Sequence, residues 1–326
     1  MATPVLEHLR VVDPHPTKED QVWDKALRPQ VFDEFIGQPR LKLLLQKSQE
    51  AAKGRGEPLA PVLLWGPPGL GKSTLARILV RDHHFETLPS FMLDLRMLYY
   101  AFRSGKDLII DEVHLLNKKV MTALYAAIEE GIFYEPGAKY PMRQHLNPIH
   151  IIATTTDLFN LPEPLVERFG FVQAMKFYAE EELAEIALRS AKKLNITLSE
   201  SVVENMVQRA RNTPRLANRY LLRLRDLGAT ENIDVMEEAF GLLGVDKNGL
   251  DEIDQEYLAL LLDRFNGGPV GLETLAKGLG YNADSIAKYV EPYLLRKGFI
   301  EIGPRGRKWR WPELNANCKA GDGCEG

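Results

Sequence analysis

Cysteine is nearly absent from this chain: its 326 residues include only Cys318 and Cys324. Both lie in a polar, glycine-containing tail, so neither a disulfide framework nor a four-ligand zinc site can be assembled within one chain. Two free tail thiols in a reducing compartment are the simpler reading, and a short-range pairing of the two is the alternative. Long apolar runs are missing as well. No stretch approaches the roughly eighteen apolar residues of a membrane span. The N-terminus lacks the basic flank and apolar core of a secretory signal. We therefore expect a soluble, cytoplasmic protein with no membrane partner. Nor does one sign of charge dominate: 41 Lys and Arg stand against 45 Asp and Glu, a net −4. That balance excludes a uniformly basic nucleic-acid coat, and any basic surface must be local. The length exceeds what one small core serves, so two or three compact units are expected.

Glycine is concentrated where it has a purpose. Gly66-Pro67-Pro68-Gly69-Leu70-Gly71-Lys72-Ser73-Thr74 follows the apolar run Val62-Leu63-Leu64-Trp65. The spacing predicts a strand, a tight loop and the start of a helix. Backbone N–H groups of such a loop converge on phosphate oxygens, Lys72 supplies a charge for the outer phosphates, and the Ser73 hydroxyl can ligate Mg2+. The loop implies a nucleoside triphosphate.

Roughly forty residues further on, Asp107-Leu108-Ile109-Ile110 ends in Asp111 and Glu112. After a phosphate loop, such a pair reads as a Walker B site. Asp111 can hold Mg2+ through its water shell, and Glu112 can orient or deprotonate the attacking water. A helix is expected over Lys118–Glu130, then a hairpin from Gly131 through a Pro136-Gly137 turn to His145. That hairpin suits either partner docking or a local extension of the sheet. A buried strand Ile149–Ala153 follows and stops at Thr154-Thr155-Thr156-Asp157, placing polar groups beside the carboxylates. Viewed alone, Arg168 is an ordinary surface arginine.

From Glu180 onward the pattern is helical: 181–194, 199–209, 214–227 and 235–243, with Ser199 as an N-cap and Pro214 in a first turn. A third unit reads as helices over 254–265, 272–279 and 283–296, then two strands around Gly303-Pro304-Arg305-Gly306. Three helices and a two-stranded wing describe a winged helix. Arg296, Lys297, Arg305, Arg307, Lys308 and Arg310 concentrate positive charge at its end, an electrostatic footprint for phosphate backbone. A solvated hairpin charged for edge protection, or a protein-binding winged helix, is the competing reading. The expected organisation is an N-terminal arm over 1–26, an α/β domain with a parallel sheet over 27–178, a small helical lid over 179–246, the winged helix over 247–312 and a polar tail over 313–326.

Taken in order, these motifs resemble the AAA+ P-loop ATPases, and more narrowly the RuvB family, hexameric motors that drive branch migration of Holliday junctions. Leu27-Arg28-Pro29, Phe35-Ile36-Gly37-Gln38, the phosphate loop, Asp111-Glu112 and Glu167-Arg168-Phe169-Gly170 carry the broad likeness. Asn212-Thr213-Pro214-Arg215, Gly267-Gly268-Pro269-Val270-Gly271-Leu272, Glu291-Pro292-Tyr293-Leu294 and Pro304-Arg305-Gly306-Arg307 carry the narrower one. The resemblance implies ATP and Mg2+ as ligands. Leu27, Arg28 and Tyr178 would lie near the base, with Gly69, Gly71, Lys72, Ser73 and Thr74 on phosphates and metal. Arg215 would be the lid arginine reaching the γ-phosphate. Thr156 would be the sensor threonine, with Thr155 beside it as the alternative. Glu129, Glu130 and Gly131 would lie near a nucleotide, and Arg168 would be an arginine finger serving the neighbouring subunit. The 131–145 hairpin would meet a RuvA-like junction-binding protein, and Arg305, Arg307, Lys308 and Arg310 would meet duplex DNA. A RuvC-like resolvase would be a further partner.

The chain also departs from the family pattern. Asp157 stands where the family has an arginine after the sensor threonines, Val166 replaces a second arginine before the finger, and Ile302 replaces an arginine of the wing. The segment between the phosphate loop and Asp111 is shorter. A non-translocating AAA+ module of clamp-loader or initiator type, using ATP to switch its binding to DNA or a protein, is the second functional reading.

Overall fold

The computed structural model describes residues 26–134, 143–147 and 149–310, together with Trp23. The Pro136-Gly137 turn, Trp311, both cysteines and almost all of the N-terminal arm lie outside the described residues. The chain divides into two compact units. One comprises the described parts of Glu19–Ile196 with Asn212–Arg219, the other those of Thr197–Arg211 with Tyr220–Gly326.

The first unit is α/β. Its elements are α1 (Pro39–Arg55), β1 (Val62–Trp65), α2 (Lys72–Leu79), β2 (Phe85–Pro89), α3 (Leu95–Ser104), β3 (Asp107–Asp111), α4 (Lys118–Glu130), β4 (Ile132–Tyr134), β5 (Arg143–His145), β6 (Ile151–Thr155), the single turn α5 (Glu163–Val166), β7 (Phe171–Ala174) and α6 (Glu180–Leu194). Five strands form a parallel sheet in the order β2-β3-β6-β1-β7. Strand β1 therefore lies between two strands that come much later in the chain. A ligand site belongs at the carboxyl ends flanking such a crossover. The strands are apolar because helices cover the sheet. Leu63, Ile110 and Ala153 are fully buried and join Leu98, Phe102 and Leu124 of the helices in one core.

Local chemistry sets most boundaries. The Asp94 and Asn117 side chains accept from the Met97 and Val120 amides and start α3 and α4, and Gly105 and Gly131 end them in left-handed conformation. Helix α4 occupies the expected 118–130. Strand β6 lies two residues later than expected, so Thr154 and Thr155 belong to the strand and are buried. Threonine is β-branched and suits a strand, and its hydroxyls find partners there. Strand β2 and helix α3 have no counterpart in the sequence reading. The hairpin β4–β5 pairs antiparallel with Phe133 opposite Gln144, and Phe133 is clamped against Tyr99 and Phe102 at 5.7 and 5.6 Å between ring centroids.

The second unit contains α7 (Glu200–Arg209), the latter part of α8 (Pro214–Asp226), α9 (Ile233–Leu242), α10 (Glu252–Ala259) running into a π-helical turn at Leu260–Arg264, α11 (Leu272–Leu279), α12 (Ala283–Tyr289), α13 (Glu291–Lys297), β8 (Ile300–Gly303) and β9 (Gly306–Trp309). Ser199 caps α7 as expected. The helix expected over 283–296 is instead two helices broken at Val290, whose φ and ψ are −106° and −60°. Pro292 is the cause: it brings no N–H to a preceding carbonyl and crowds the turn before it, so α13 restarts with proline in its first turn. The wing is a two-stranded antiparallel sheet with Val270 bridging to Arg307. Its core joins Tyr257, Leu261, Leu275, Ile286, Leu294 and Ile300. Among the described residues, no helix is long and apolar enough to cross a membrane.

Candidate nucleotide site and basic wing

The phosphate loop runs from the end of β1 to the first turn of α2, where the helix N-terminus presents unpaired N–H groups. Two glycines are dictated by geometry. Gly66 has φ 138°, and a Cβ there would come within 2.9 Å of the Met175 carbonyl. Gly69 has φ 82°, and a Cβ there would press on the Arg215 side chain at 3.3 Å. Lys72 is buried, and its Nζ donates to the Gly66 and Pro67 carbonyls at 2.8 and 3.0 Å. Burial pushes its pKa down to about 8, and the Arg215 charge works in the same direction against Glu112 and Asp111.

Asp111 is a hub. Its Oδ1 accepts from the Ser73 hydroxyl at 2.8 Å and from the Thr154 hydroxyl at 3.0 Å, and its carbonyl accepts from Ser90 at 2.6 Å. Hydroxyl and carboxylate oxygens meeting at one point are the hard donors that Mg2+ takes, usually with several waters retained. Ser73 and Asp111 therefore fit that ion. Glu112 has φ 54°, and its Oε2 accepts from both the amide and the hydroxyl of Thr156, at 2.8 and 2.9 Å. His114 Nδ1 lies 3.3 Å from the same oxygen and 2.9 Å from Thr155 Oγ1. Thr156 is thus the threonine on the carboxylate, while Thr155 exchanges hydrogen bonds with the backbone of Asp157. Asp157 itself accepts from the Asn160 amide and stabilises the exposed turn after β6.

Beside the loop lies a cavity open to solvent. The expected Leu27, Arg28, Gly69, Gly71, Thr74, Tyr178 and Arg215 all line it. Tyr178 donates to the Leu70 carbonyl at 3.1 Å, and burial raises its pKa. Gly37 makes room for that ring, where a Cβ would meet it at 2.6 Å. Gln38 pairs its amide with both backbone groups of Lys176, donating at 2.7 Å and accepting at 3.1 Å. Sequence reasoning missed Arg189, which also lines the cavity and donates to the Glu34 and Leu27 carbonyls, holding the segment that enters α1. It also missed Asn218, which accepts from Ser190 at 2.7 Å, and the role of Ser90. The Thr154-Thr155-Thr156 run, expected beside the carboxylates, brings Thr154 to Asp111 and Thr156 to Glu112.

Arg168, Glu129, Glu130 and Gly131 do not line this cavity. Arg168 donates to Glu129 at 2.8 Å and to the Tyr125 hydroxyl at 3.0 Å, and its guanidinium lies 5.2 Å from the Tyr125 ring centre. Hydrogen bonding to Glu129 raises its pKa and keeps it charged. Gly131 closes α4, and its carbonyl accepts from Leu146.

In the wing, Arg305, Lys308 and Arg310 are exposed. Arg307 differs. It makes two hydrogen bonds to Glu291, at 2.8 and 3.0 Å, and Glu291 is buried and also accepts from Tyr257 at 3.0 Å. In this structure the Arg307 guanidinium, expected to meet duplex DNA, pairs with Glu291 at the start of α13. Ile302 is exposed in the facing strand.

Three family models match in succession: the Holliday junction DNA helicase RuvB P-loop domain over residues 27–175, the RuvB AAA lid domain over 178–246 and the RuvB C-terminal winged helix domain over 247–309. The Holliday junction branch migration complex subunit RuvB of Rubrobacter xylanophilus is 38% identical over 91% of this chain and 88% of its own length. The subunit of the same name from Limosilactobacillus reuteri is 38% identical over 91% of this chain and 93% of its own. The structure of the Thermotoga maritima RuvB Holliday junction branch migration motor superposes with a TM-score of 0.75 at 37% identity, covering 87% of this chain and 95% of that one. With all three consecutive domains matched and relatives of this identity spanning nearly the whole length, the chain belongs to the RuvB family of AAA+ ATPases.

Proposed function

We propose that the protein is an ATP-driven motor that moves duplex DNA at Holliday junctions during recombination and repair, acting in the cytoplasm as a homohexameric ring. The carrying observation is the joint placement of Ser73, Asp111, Glu112 and Thr156 at the carboxyl end of the sheet, in a chain that also carries a basic wing. The clamp-loader or initiator reading is not favoured, because the matched relatives are branch migration subunits.

ATP enters with its base in the cavity of Leu27, Arg28 and Tyr178 and its phosphates on the Gly69–Thr74 turn. Ser73 and Asp111 would hold Mg2+, which would supply positive charge against the phosphates when bound. Thr156 fixes Oε2 of Glu112, leaving Oε1 to orient the attacking water and draw its proton. Lys72 and Arg215 face the developing charge from within the subunit. Arg168 supplies the remaining charge from the neighbour, with Glu129 as its resting partner in the absence of that nucleotide. Glu130 and Gly131 form part of the same subunit edge. Arg215 contacts the γ-phosphate only while it is present, the differential interaction that a conformational cycle needs.

In the wing, Arg305, Lys308 and Arg310 grip phosphates rather than read bases, as suits a motor indifferent to sequence. The 131–145 hairpin docks a RuvA-like protein, and a RuvC-like resolvase acts on the migrated junction. The test is ATP hydrolysis with and without duplex DNA. The wild-type protein shows DNA-stimulated turnover that Arg168→Ala abolishes, and undiminished turnover by that variant would remove the shared-site reading.

A further inference from the structure

Away from the nucleotide, three ligating side chains converge at the amino ends of neighbouring strands. Asp107 opens β3, His150 immediately precedes β6, and His83 lies in the connection from α2 to β2. This is the edge of the sheet opposite the phosphate loop. His150 Nδ1 is 2.9 Å from Asp107 Oδ2, and His83 Nδ1 is 3.6 Å from the same oxygen. The two rings stand 4.7 Å apart at 64°. One ligand atom from each residue lies within 4.8 Å of the others.

The site is built rather than incidental. The Asp107 carboxylate is almost wholly buried, and its other oxygen is fixed by the His150 amide at 2.8 Å. The Leu108 amide donates to the His150 carbonyl and the Asp107 amide to the carbonyl of His84, so His150 itself and the residue next to His83 are tied to the start of β3. No lysine or arginine pairs with the Asp107 carboxylate among the described residues; its two ionic neighbours are imidazoles, neutral unless protonated. A buried carboxylate without a cationic partner is costly. Without a metal, a hydrogen bond from His150 Nδ1 accounts for one approach to Oδ2, and that proton moves to the other ring nitrogen or to solvent when Nδ1 becomes a ligand. The second imidazole, aimed at the same oxygen beyond hydrogen-bond reach, has no such role.

We propose that His83, Asp107 and His150 form a binding site for a divalent transition-metal ion of the zinc class. Two imidazole nitrogens and a carboxylate oxygen are a common donor set for Zn2+ and its substitutes. With bonds of about 2.1 Å, tetrahedral ligand atoms stand about 3.4 Å apart, and the two measured separations bracket that value. His83 is half-exposed, which leaves the fourth position to water. The ion staples the connection after α2 to the starts of β3 and β6, at the far end of the strands that carry Asp111 and Thr156. Its role is to brace the sheet rather than to take part in hydrolysis.

The test is a titration of the full chain with CoCl2 in excess Mg2+, using a parent in which Cys318→Ser and Cys324→Ser remove the tail thiols. The parent develops visible d–d bands saturating at a single equivalent, Zn2+ quenches them, and the melting temperature rises with Zn2+ concentration. His83→Ala loses the bands and the Zn2+-dependent rise while keeping the metal-free melting temperature. His150→Gln, which keeps a polar group beside Asp107, loses the bands as well. Absence of bands in the parent, or their persistence in His83→Ala, overturns the proposal.

Discussion

Thr156 holds one oxygen of Glu112 twice, its amide at 2.8 Å and its hydroxyl at 2.9 Å from Oε2. Two donors on one carboxylate oxygen fix the plane of the group and so the direction of its other oxygen. Thr156→Val keeps the amide and the shape but loses the hydroxyl. Steady-state ATPase assays will show kcat lowered by a factor on the order of ten to a hundred, with KM for ATP nearly unchanged. Unchanged kcat would show that the amide alone positions Glu112.

Arg168 and Glu112 are expected to serve different subunits' nucleotides. Arg168→Ala will lose turnover by a factor on the order of a thousand, and Glu112→Gln will be similarly inactive. Mixing the two dead variants restores part of the activity, because some interfaces then pair an intact Glu112 with an intact Arg168. No recovery on mixing, with mixed rings shown by subunit exchange, would place Arg168 outside the neighbour's site.

The buried Lys72 gives nucleotide affinity a pH dependence. Its pKa is pushed down to about 8 in the nucleotide-free protein, and bound phosphates favour the charged form and raise it. Below that value the lysine is already charged and affinity is level. As pH rises through about 8 the free form loses its proton, so binding must take one up and affinity falls. Calorimetry in buffers of different ionisation enthalpy will show proton uptake above pH 8 that is absent in Lys72→Met.

Two arginines of the wing should separate stability from DNA binding. Arg307→Ala leaves the Glu291 carboxylate buried without its ion pair and lowers unfolding free energy by about 3 kcal/mol. Arg305→Ala leaves stability unchanged, weakens binding to all duplexes alike, and reduces the slope of log affinity against log salt by about one. Denaturant melts and salt titrations distinguish the two. Equal effects of both substitutions on the salt slope would return Arg307 to the DNA.

The nucleotide site was legible because its chemistry is local. The phosphate loop, Asp111 and Glu112 each announce themselves within a few residues, and the apolar strands beside them fix where they meet. Helix α4 was legible for a similar reason, since Asn117 and Gly131 mark its ends and its apolar face repeats. Less could be read where partners are distant in sequence. Arg189 gives no sign that it ties Leu27 and Glu34 in place, and Arg307 gives none that it ends on Glu291 across a helix break. Strand β2 escaped notice because it is a half-buried edge strand without continuous apolar character. The break at Val290 was signalled by Pro292, but the apolar spacing ran through it.

The central claim is tested most directly by branch migration of a synthetic four-way junction with labelled arms, with and without a RuvA-like loader. ATP-dependent conversion to two duplexes, lost in Arg168→Ala and Glu112→Gln, is the expected result. ATP hydrolysis and DNA binding without movement of the junction under either condition would contradict the account and make the protein a nucleotide-switched DNA-binding module.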